Sequence, residues 1–245
     1  MDSTILRSYL DDNPFAKLGD VVTQMLYDAI VTLELPPASK INVNQLAADL
    51  GISRTPVSEA VAKLQTVGYV EQHKGANGYY VVDMNLADMM SLYSTREAIE
   101  CEAVYLCAEN VGADTLAKLE GLAAEFGRIF SKQDGQLLKE TDMPFHRLIV
   151  DSCGNKYLQR CYKELLPNIT MYQSSWIKFI DPDMINPWTS KVVHQHSAIV
   201  SAIKLHLPGL AREAMSQHIR SSQNFVAFSD NTSDPFSIVK HPNGK

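Results

Sequence analysis

Asp142 and His146 stand four residues apart, so on a helix they share one face, and Ile149 and Cys153 continue that stripe. His196 lies on the face of Val192, Ile199 and Ile203, and His218 on the face of Ala211, Ala214 and Phe225. Three predicted helices thus aim one carboxylate and three imidazoles at an apolar core. Burying four such groups without partners costs on the order of several kcal/mol. A divalent metal would satisfy all of them, and one Asp with three His is a transition-metal ligand set that zinc, nickel and manganese all tolerate. The plainer alternative is that each is a hydrogen-bonded core residue or a helix-end side chain. The remaining histidines fit the set less well. His194, two residues before His196, faces about 200° away; His206 is near a helix end and His241 in the polar C-terminal stretch.

A second group of residues suits nucleic acid. Ser53-Arg54-Thr55 follows the short turn Leu50-Gly51-Ile52 and opens a helix at Pro56. Arginine offers a bidentate fork for guanine or phosphate, and hydroxyls beside the backbone N–H groups of a helix N-terminus suit phosphate. The elements that must present this group are legible. Val21, Val22, Met25, Leu26, Ala29 and Ile30 recur at helical steps, and Pro36-Pro37 stops that helix. Asn42, with an amide three positions on at Gln45, caps a helix over Val43 to Leu50, which Gly51 closes. Hydroxyls at Ser53 and Thr55 can cap the next helix, whose buried stripe is Val57, Ala60, Val61 and Leu64. Tyr69–His73 and Tyr79–Val82 read as strands around a turn containing Asn77-Gly78. Helix, helix, tight turn, helix and β-hairpin is the winged helix-turn-helix plan.

The first of these constellations needs a longer scaffold. From residue 85 on, six amphipathic helices are predicted, at about Leu86–Val111, Ala113–Lys132, Gln136–Ser152, Lys156–Phe179, Pro187–His206 and Gly209–Phe228, enough for one bundle with an interior pocket. The fold class is therefore mainly α, a winged helix-turn-helix followed by an all-α bundle. Its expected divisions are a tail over residues 1–14, the DNA-binding domain over 15–83, the bundle over 84–228, and a polar tail over 229–245.

Composition agrees with a globular protein of 245 residues, 45% hydrophobic and 20% charged. No apolar run approaches the roughly 18 residues of a membrane span, and Met1-Asp2-Ser3-Thr4 lacks a signal peptide's basic start and apolar core. A cytoplasmic location is the expectation. Cys101, Cys107, Cys153 and Cys161 contain no Cys-x-x-Cys pair and read as reduced core thiols. The formal charge of −6 argues against sequence-independent binding of nucleic acid by bulk attraction. It leaves room for a small local reading head.

The segment "AIVTLELPPASKINVNQLAADLGISRTPVSEAVAKLQTVGYVEQ" and the hairpin after it resemble the GntR family of bacterial transcription regulators. The resemblance implies a homodimer that sets two recognition helices in successive major grooves of a palindromic operator. It carries Ser53, Arg54 and Thr55 over as DNA contacts, with His73, Lys74 and Gly78 at the tip of the wing. The chain departs from the family pattern at Asn44 and Ser58, two further DNA-facing positions where arginine is usual, and at Pro37-Ala38, where Pro-Gly is usual. Residues 1–83 hold six basic residues against ten acidic, a net of −4. Few phosphate contacts mean a shallow salt slope, each contributing about −0.9.

"TREAIECEAVYLCAE", "DMPFHRLIVDSCGNKYL" and "HSAIVSAIKLHLPGLAREAMSQHI" resemble, in order, the three blocks of the family's FCD (FadR C-terminal domain) branch. Six helices rather than seven is similar to its VanR-type subgroup. The branch implies an effector-binding bundle whose metal is held by Asp142, His146, His196 and His218. It also implies a small organic acid that completes the metal's coordination. Arg96 matches a position that commonly pairs with the effector carboxylate, against the alternative of a surface ion pair with Glu100 four residues on. Tyr93, Asn168, Tyr172 and Trp176 are candidate cavity residues, or plain core.

The function expected is a repressor released by its effector. Two competitors stand beside it. An all-helical metal hydrolase with a DNA-binding head would use the open metal position to activate water, but no second acid or base is placed beside the ligands. A metal-free bundle binding an acyl or aromatic ligand is the other.

Overall fold

The chain forms two compact units, Met1–Asn85 and a second beginning at Leu86. A computed structural model describes residues 1–12, 14–73, 78–130, 135–179 and 182–228. Lys74, His241 and the expected C-terminal tail lie outside the described residues, as do the side chains of 175–187, Trp176 among them.

In the first unit, the expected tail over residues 1–14 is instead a helix, α1 (Ser3–Asp12). Asp2 opens it by accepting from the Thr4 backbone N–H at 2.8 Å. Leu6 is buried, and the Tyr9 hydroxyl donates to Asp28 at 2.6 Å. Asp28 belongs to α2 (Leu18–Val31), which buries the stripe from Val21 to Ile30. Helix α2 ends well before Pro36, at a turn where Leu33 takes a φ of 61°. Ala38 takes a φ of 58°, the left-handed conformation glycine adopts without penalty, and this is where the Pro-Gly of the resemblance reads Pro37-Ala38. Ala38→Gly is accordingly expected to stabilise this unit by about 0.5–1 kcal/mol, the relieved strain outweighing the added chain entropy. Urea unfolding of the two proteins checks it.

Asn42 caps α3 (Val43–Leu50) by accepting from the backbone N–H groups of Asn44 and Gln45 at 3.1 and 3.2 Å. Gly51 closes the helix at a φ of 68°. Helix α4 (Arg54–Thr66) follows and packs on α2 through Val57, Ala60, Val61 and Leu64. Ser53 occupies its cap position, but its side chain makes no capping bond. The expected hairpin gains a third strand. β1 (Lys40–Ile41), β2 (Val70–Glu71) and β3 (Tyr79–Val81) form an antiparallel sheet in the order β1-β3-β2, pairing Lys40 with Tyr80 and Val70 with Val81. A two-residue strand has no alternation to read, so β1 left no trace in the sequence pattern.

The second unit contains, among the described residues, six helices: α5 (Leu86–Asn110), α6 (Ala113–Phe130), α7 (Gly135–Ser152), α8 (Lys156–Phe179), α9 (Pro182–Lys204) and α10 (Pro208–Phe228). Helix α9 starts five residues before the expected Pro187, with Pro182 in a first turn, where its missing N–H costs nothing. Helix α5 is central: it packs on α7, α8, α9 and α10 and buries residues from Met89 to Ala108 on most of its circumference. Helix α6 packs on α7 and α9. Cys101, Cys107 and Cys153 are buried free thiols, whereas Cys161 is exposed on α8 and is not a core thiol as expected. No helix of the described residues is long and apolar enough to cross a membrane.

Candidate metal centre and nucleic-acid interface

Helix α7 brings Asp142 and His146 to the interior one turn apart, and α9 and α10 each add one histidine between aliphatic neighbours. His196 lies between Val192 and Ile199, and His218 between Met215 and Ile219, all buried. The Phe145 ring stacks on His196 with centroids 4.3 Å apart, and the Phe126 ring packs against it at a tilt, 5.0 Å between centroids. The structure brings all four predicted ligands together, with one donor atom from each within 4.8 Å of the others. Asp142 Oδ1 lies 3.4 Å from His196 Nε2 and 3.7 Å from His146 Nε2. The remaining ligand, His218, has its Nε2 3.1 Å from His146 Nε2.

That last distance carries chemical information. His146 Nδ1 is 2.6 Å from Glu100 Oε2, and a carboxylate only accepts, so this nitrogen holds the proton. His218 Nδ1 is 3.2 Å from Gln195 Oε1, and with the amide oxygen turned to the ring the same tautomer follows. Both Nε2 atoms then present lone pairs to each other at 3.1 Å. A proton shared between the two rings would relieve that pair and leave His196, whose two buried nitrogens make no hydrogen bond. A divalent metal would answer all three imidazoles and Asp142 at once. Donors about 2.0–2.2 Å from such an ion stand at separations of this size. The residues fit the group.

The electrostatics agree. Burial holds His196 below its ordinary pKa, and burial with the two neighbouring imidazoles holds His218 well below it. Both are therefore neutral at neutral pH, the form in which an imidazole can ligate a metal. Burial alone would raise the Asp142 carboxyl, but His146, His196 and His218 outweigh it and keep the group ionised. Gln173 donates to the other Asp142 oxygen at 2.7 Å and orients it.

Arg96 departs from the surface alternative. It does pair with Glu100, Nε to Oε1 at 2.7 Å, but side-chain exposures are 4% and 0%, so the pair is interior. Its guanidinium lies 5.2 Å from the Tyr93 ring centroid, and Tyr93 is buried. The Tyr172 hydroxyl donates to Asp88 at 2.9 Å, and Asn168 is half-buried one turn before it. Four residues of the site were not singled out from the sequence: Glu100 in its double role, Gln173, Gln195 and Tyr162. The Tyr162 hydroxyl is buried without a hydrogen bond, and the charges of Glu100 and Arg96 act on it. For Glu100 the signal was only its i,i+4 spacing from Arg96, which reads the same for a surface pair and for an internal one. The glutamines left none. His194 is exposed and His206 bonds the Ala108 carbonyl at 2.8 Å, so neither reaches the cluster.

In the first unit, Asn44, Ser53, Arg54, Thr55 and Ser58 are all exposed on α3, the turn and α4. Arg54 Nη1 donates to Asn44 Oδ1 at 3.4 Å, so the asparagine at the expected arginine position steadies the neighbouring fork. In the wing, His73 is exposed, 3.5 Å from Glu71 and edge-on to Tyr80. Gly78 has a φ of 134°, a conformation that strains any residue with a side chain, whereas the Lys40 Cε that a Cβ would meet at 2.9 Å is the end of a flexible side chain and can move aside. Lys40, reaching over the Tyr80 ring from β1, adds a cation at the wing's base that the sequence pattern did not reveal.

Residues 91–221 match the FCD domain family, and residues 18–81 match bacterial regulatory proteins, gntR family. The HTH-type transcriptional regulator LutR of Bacillus subtilis (strain 168) is 24% identical over 214 residues, 79% of this chain and 94% of that protein. The HTH-type transcriptional repressor RspR of Escherichia coli (strain K12) is 22% identical over 226 residues, 92% and 96% respectively. The solved structure of E. coli McbR/YncC shares the fold, with a TM-score of 0.69 at 19% identity over 86% of this chain and 97% of that one. These families and relatives are transcription regulators rather than enzymes, which disfavours the hydrolase alternative.

Proposed function

The chain belongs to the gntR family of bacterial transcription regulators, in the branch that carries an FCD domain, and from that membership we propose a cytoplasmic repressor that binds a palindromic operator as a homodimer and is released by a small organic acid held at a metal centre. The reading head spans residues 15–83 and the sensor residues 84–228. Exposed Ser53, Arg54 and Thr55 read the groove, with Asn44 and Ser58 beside them and His73, Lys74 and Gly78 at the wing. Asp142, His146, His196 and His218 hold one zinc, nickel or manganese ion per chain. The observation that carries the sensor reading is the pair of facing lone pairs on His146 and His218, 3.1 Å apart in a buried site.

When bound, the metal supplies a cationic anchor with open positions for carboxylate oxygens. The chain's own residues do the rest. Arg96, oriented through its Nε–H by Glu100, meets the acid's carboxylate with its guanidinium, and the Tyr162 hydroxyl accepts or donates beside it. Tyr93, Tyr172 and Asn168 shape the cavity wall and exclude water. Effector binding shifts operator affinity only as far as the acid prefers one of the two conformations of the dimer.

The experiment is selection of fragments from the source genome by the purified protein at low salt, with and without a chelator. Enrichment of a short palindrome whose recovery changes on chelation is the expected result, and no enrichment under either condition overturns the proposal. On the recovered site, Arg54→Ala is expected to weaken binding by about 1–3 kcal/mol and to relax discrimination at the base it reads. Titration of the fluorescently labelled site against both proteins measures this.

A further inference from the structure

Glu100 gives one oxygen to Arg96 and the other to His146, at 2.7 and 2.6 Å, from a position with no solvent exposure. Each contact does something different. The bond to His146 Nδ1 excludes the tautomer in which Nε2 carries the proton, the only tautomer that could not ligate from the face turned to Asp142 and His218. The bond to Arg96 Nε fixes the direction of a guanidinium that is otherwise enclosed by the buried Tyr93 and Tyr162. A carboxylate held at both ends by charge-assisted hydrogen bonds has no freedom to swing away from either.

We propose that Glu100 is a positioning residue of the metal centre, which locks His146 in its ligating tautomer and thereby makes metal affinity depend on Arg96, a residue outside the metal-ligating set. This rests on the metal reading given under the proposed function. The alternative role for Glu100 is merely to neutralise Arg96, and the two roles separate cleanly. A neutralising partner leaves the tautomer of His146 to chance and metal affinity unchanged. A positioning partner controls both. The arrangement also implies direction: an anion drawing Arg96 toward itself acts on the Glu100 carboxylate, and through it on His146.

The test uses the full chain and two readouts. Zinc affinity is measured by competition with a chromophoric chelator for the wild-type protein, Glu100→Gln, Glu100→Asp, Arg96→Met and the Glu100→Gln/Arg96→Met double variant. The tautomer of His146 is read from imidazole nitrogen shifts in the metal-free proteins. In the wild type the Nδ1–H tautomer is expected. In Glu100→Gln zinc affinity should fall about 10- to 100-fold and the ring should populate the other tautomer. Glu100→Asp, which keeps the charge and so the fold but retracts the carboxylate, should recover only part of the affinity. Arg96→Met should change zinc affinity when Glu100 is present and add nothing in the Glu100→Gln background. A wild-type ring in the Nε2–H tautomer, or a Glu100→Gln protein with unchanged tautomer and zinc affinity, overturns the proposal. A wild-type protein that binds no zinc, nickel or manganese sinks the metal reading separately, and the tautomer comparison then decides the positioning role by itself.

Discussion

Glu100→Leu is expected to destabilise the helical unit by about 3–5 kcal/mol, and Arg96→Met added to it should restore most of that loss. The argument turns on what each variant leaves behind. Arg96 and Glu100 lie inside the bundle with almost no exposure, where an ion pair gains little over two apolar residues of similar volume. Removing one partner is another matter, because it leaves a charge in a medium that cannot solvate it. Arg96 has no escape by deprotonation, since a guanidinium stays charged; burial opposes its charge and only Glu100, then the nearby tyrosines, answer it. Arg96→Met is the milder single change, because Glu100 retains His146. Urea denaturation of the two single variants and the double closes the cycle. The pH dependence has a definite sign. Burial works against the Glu100 charge, but Arg96 and then His146 hold its pKa below the ordinary value. Its contribution is therefore complete above the unfolded pKa of about 4.3 and is lost as pH falls through the lower folded value.

This pair also shows how far the sequence could be read. Asp142, His146, His196 and His218 were legible because helical periodicity fixes which residues share a face, and the apolar company of each histidine says that the face is inward. The same rule placed α3 and α4 to the residue or nearly so, since Asn42 and Gly51 punctuate them chemically. It could not say that Arg96 and Glu100 point inward, because an i,i+4 ion pair looks identical on a surface and in a core. Which side of α5 is covered depends on four other helices, a tertiary fact. Tertiary context likewise decided α1, whose short stripe of Leu6 and Tyr9 becomes stable only against α2, and β1, which exists only as β3's partner. Cys161 failed in the other direction: its local pattern is apolar, but among the described residues it stands on an exposed face of α8. The glutamines that orient Asp142 and His218 are invisible until the helices are assembled, because nothing in a glutamine's spacing says what it will bond.

His196→Leu separates the cost of the ligand set from its purpose, and parity without metal and a loss with it are expected together. In the metal-free protein His196 buries two ring nitrogens without a hydrogen bond, against Phe145 and Phe126, and each unmet polar atom of this kind costs about 1–3 kcal/mol. Leucine fills a similar space and removes that penalty, but it also removes the imidazole 3.4 Å from the buried Asp142 carboxylate, so the metal-free variant should be about as stable as the metal-free wild type, within about 1 kcal/mol. With metal the two part. Free zinc at about a thousand times its dissociation constant stabilises a binding-competent protein by about 4 kcal/mol, and the variant should keep little of that. The melting temperature with zinc minus that with chelator is the quantity to compare. Its pH dependence follows from the same burial. His196 and His218 titrate below the ordinary histidine value because burial disfavours their charged forms, so the unfolded chain takes up protons first. Stability of the metal-free wild type should therefore fall as pH drops from about 6.5 toward the lower folded values, more steeply than in His196→Leu, where one of the two buried bases is gone. Equal slopes would mean that His196 is ordinary core, and no zinc shift in either protein would mean that the buried cluster binds no ion.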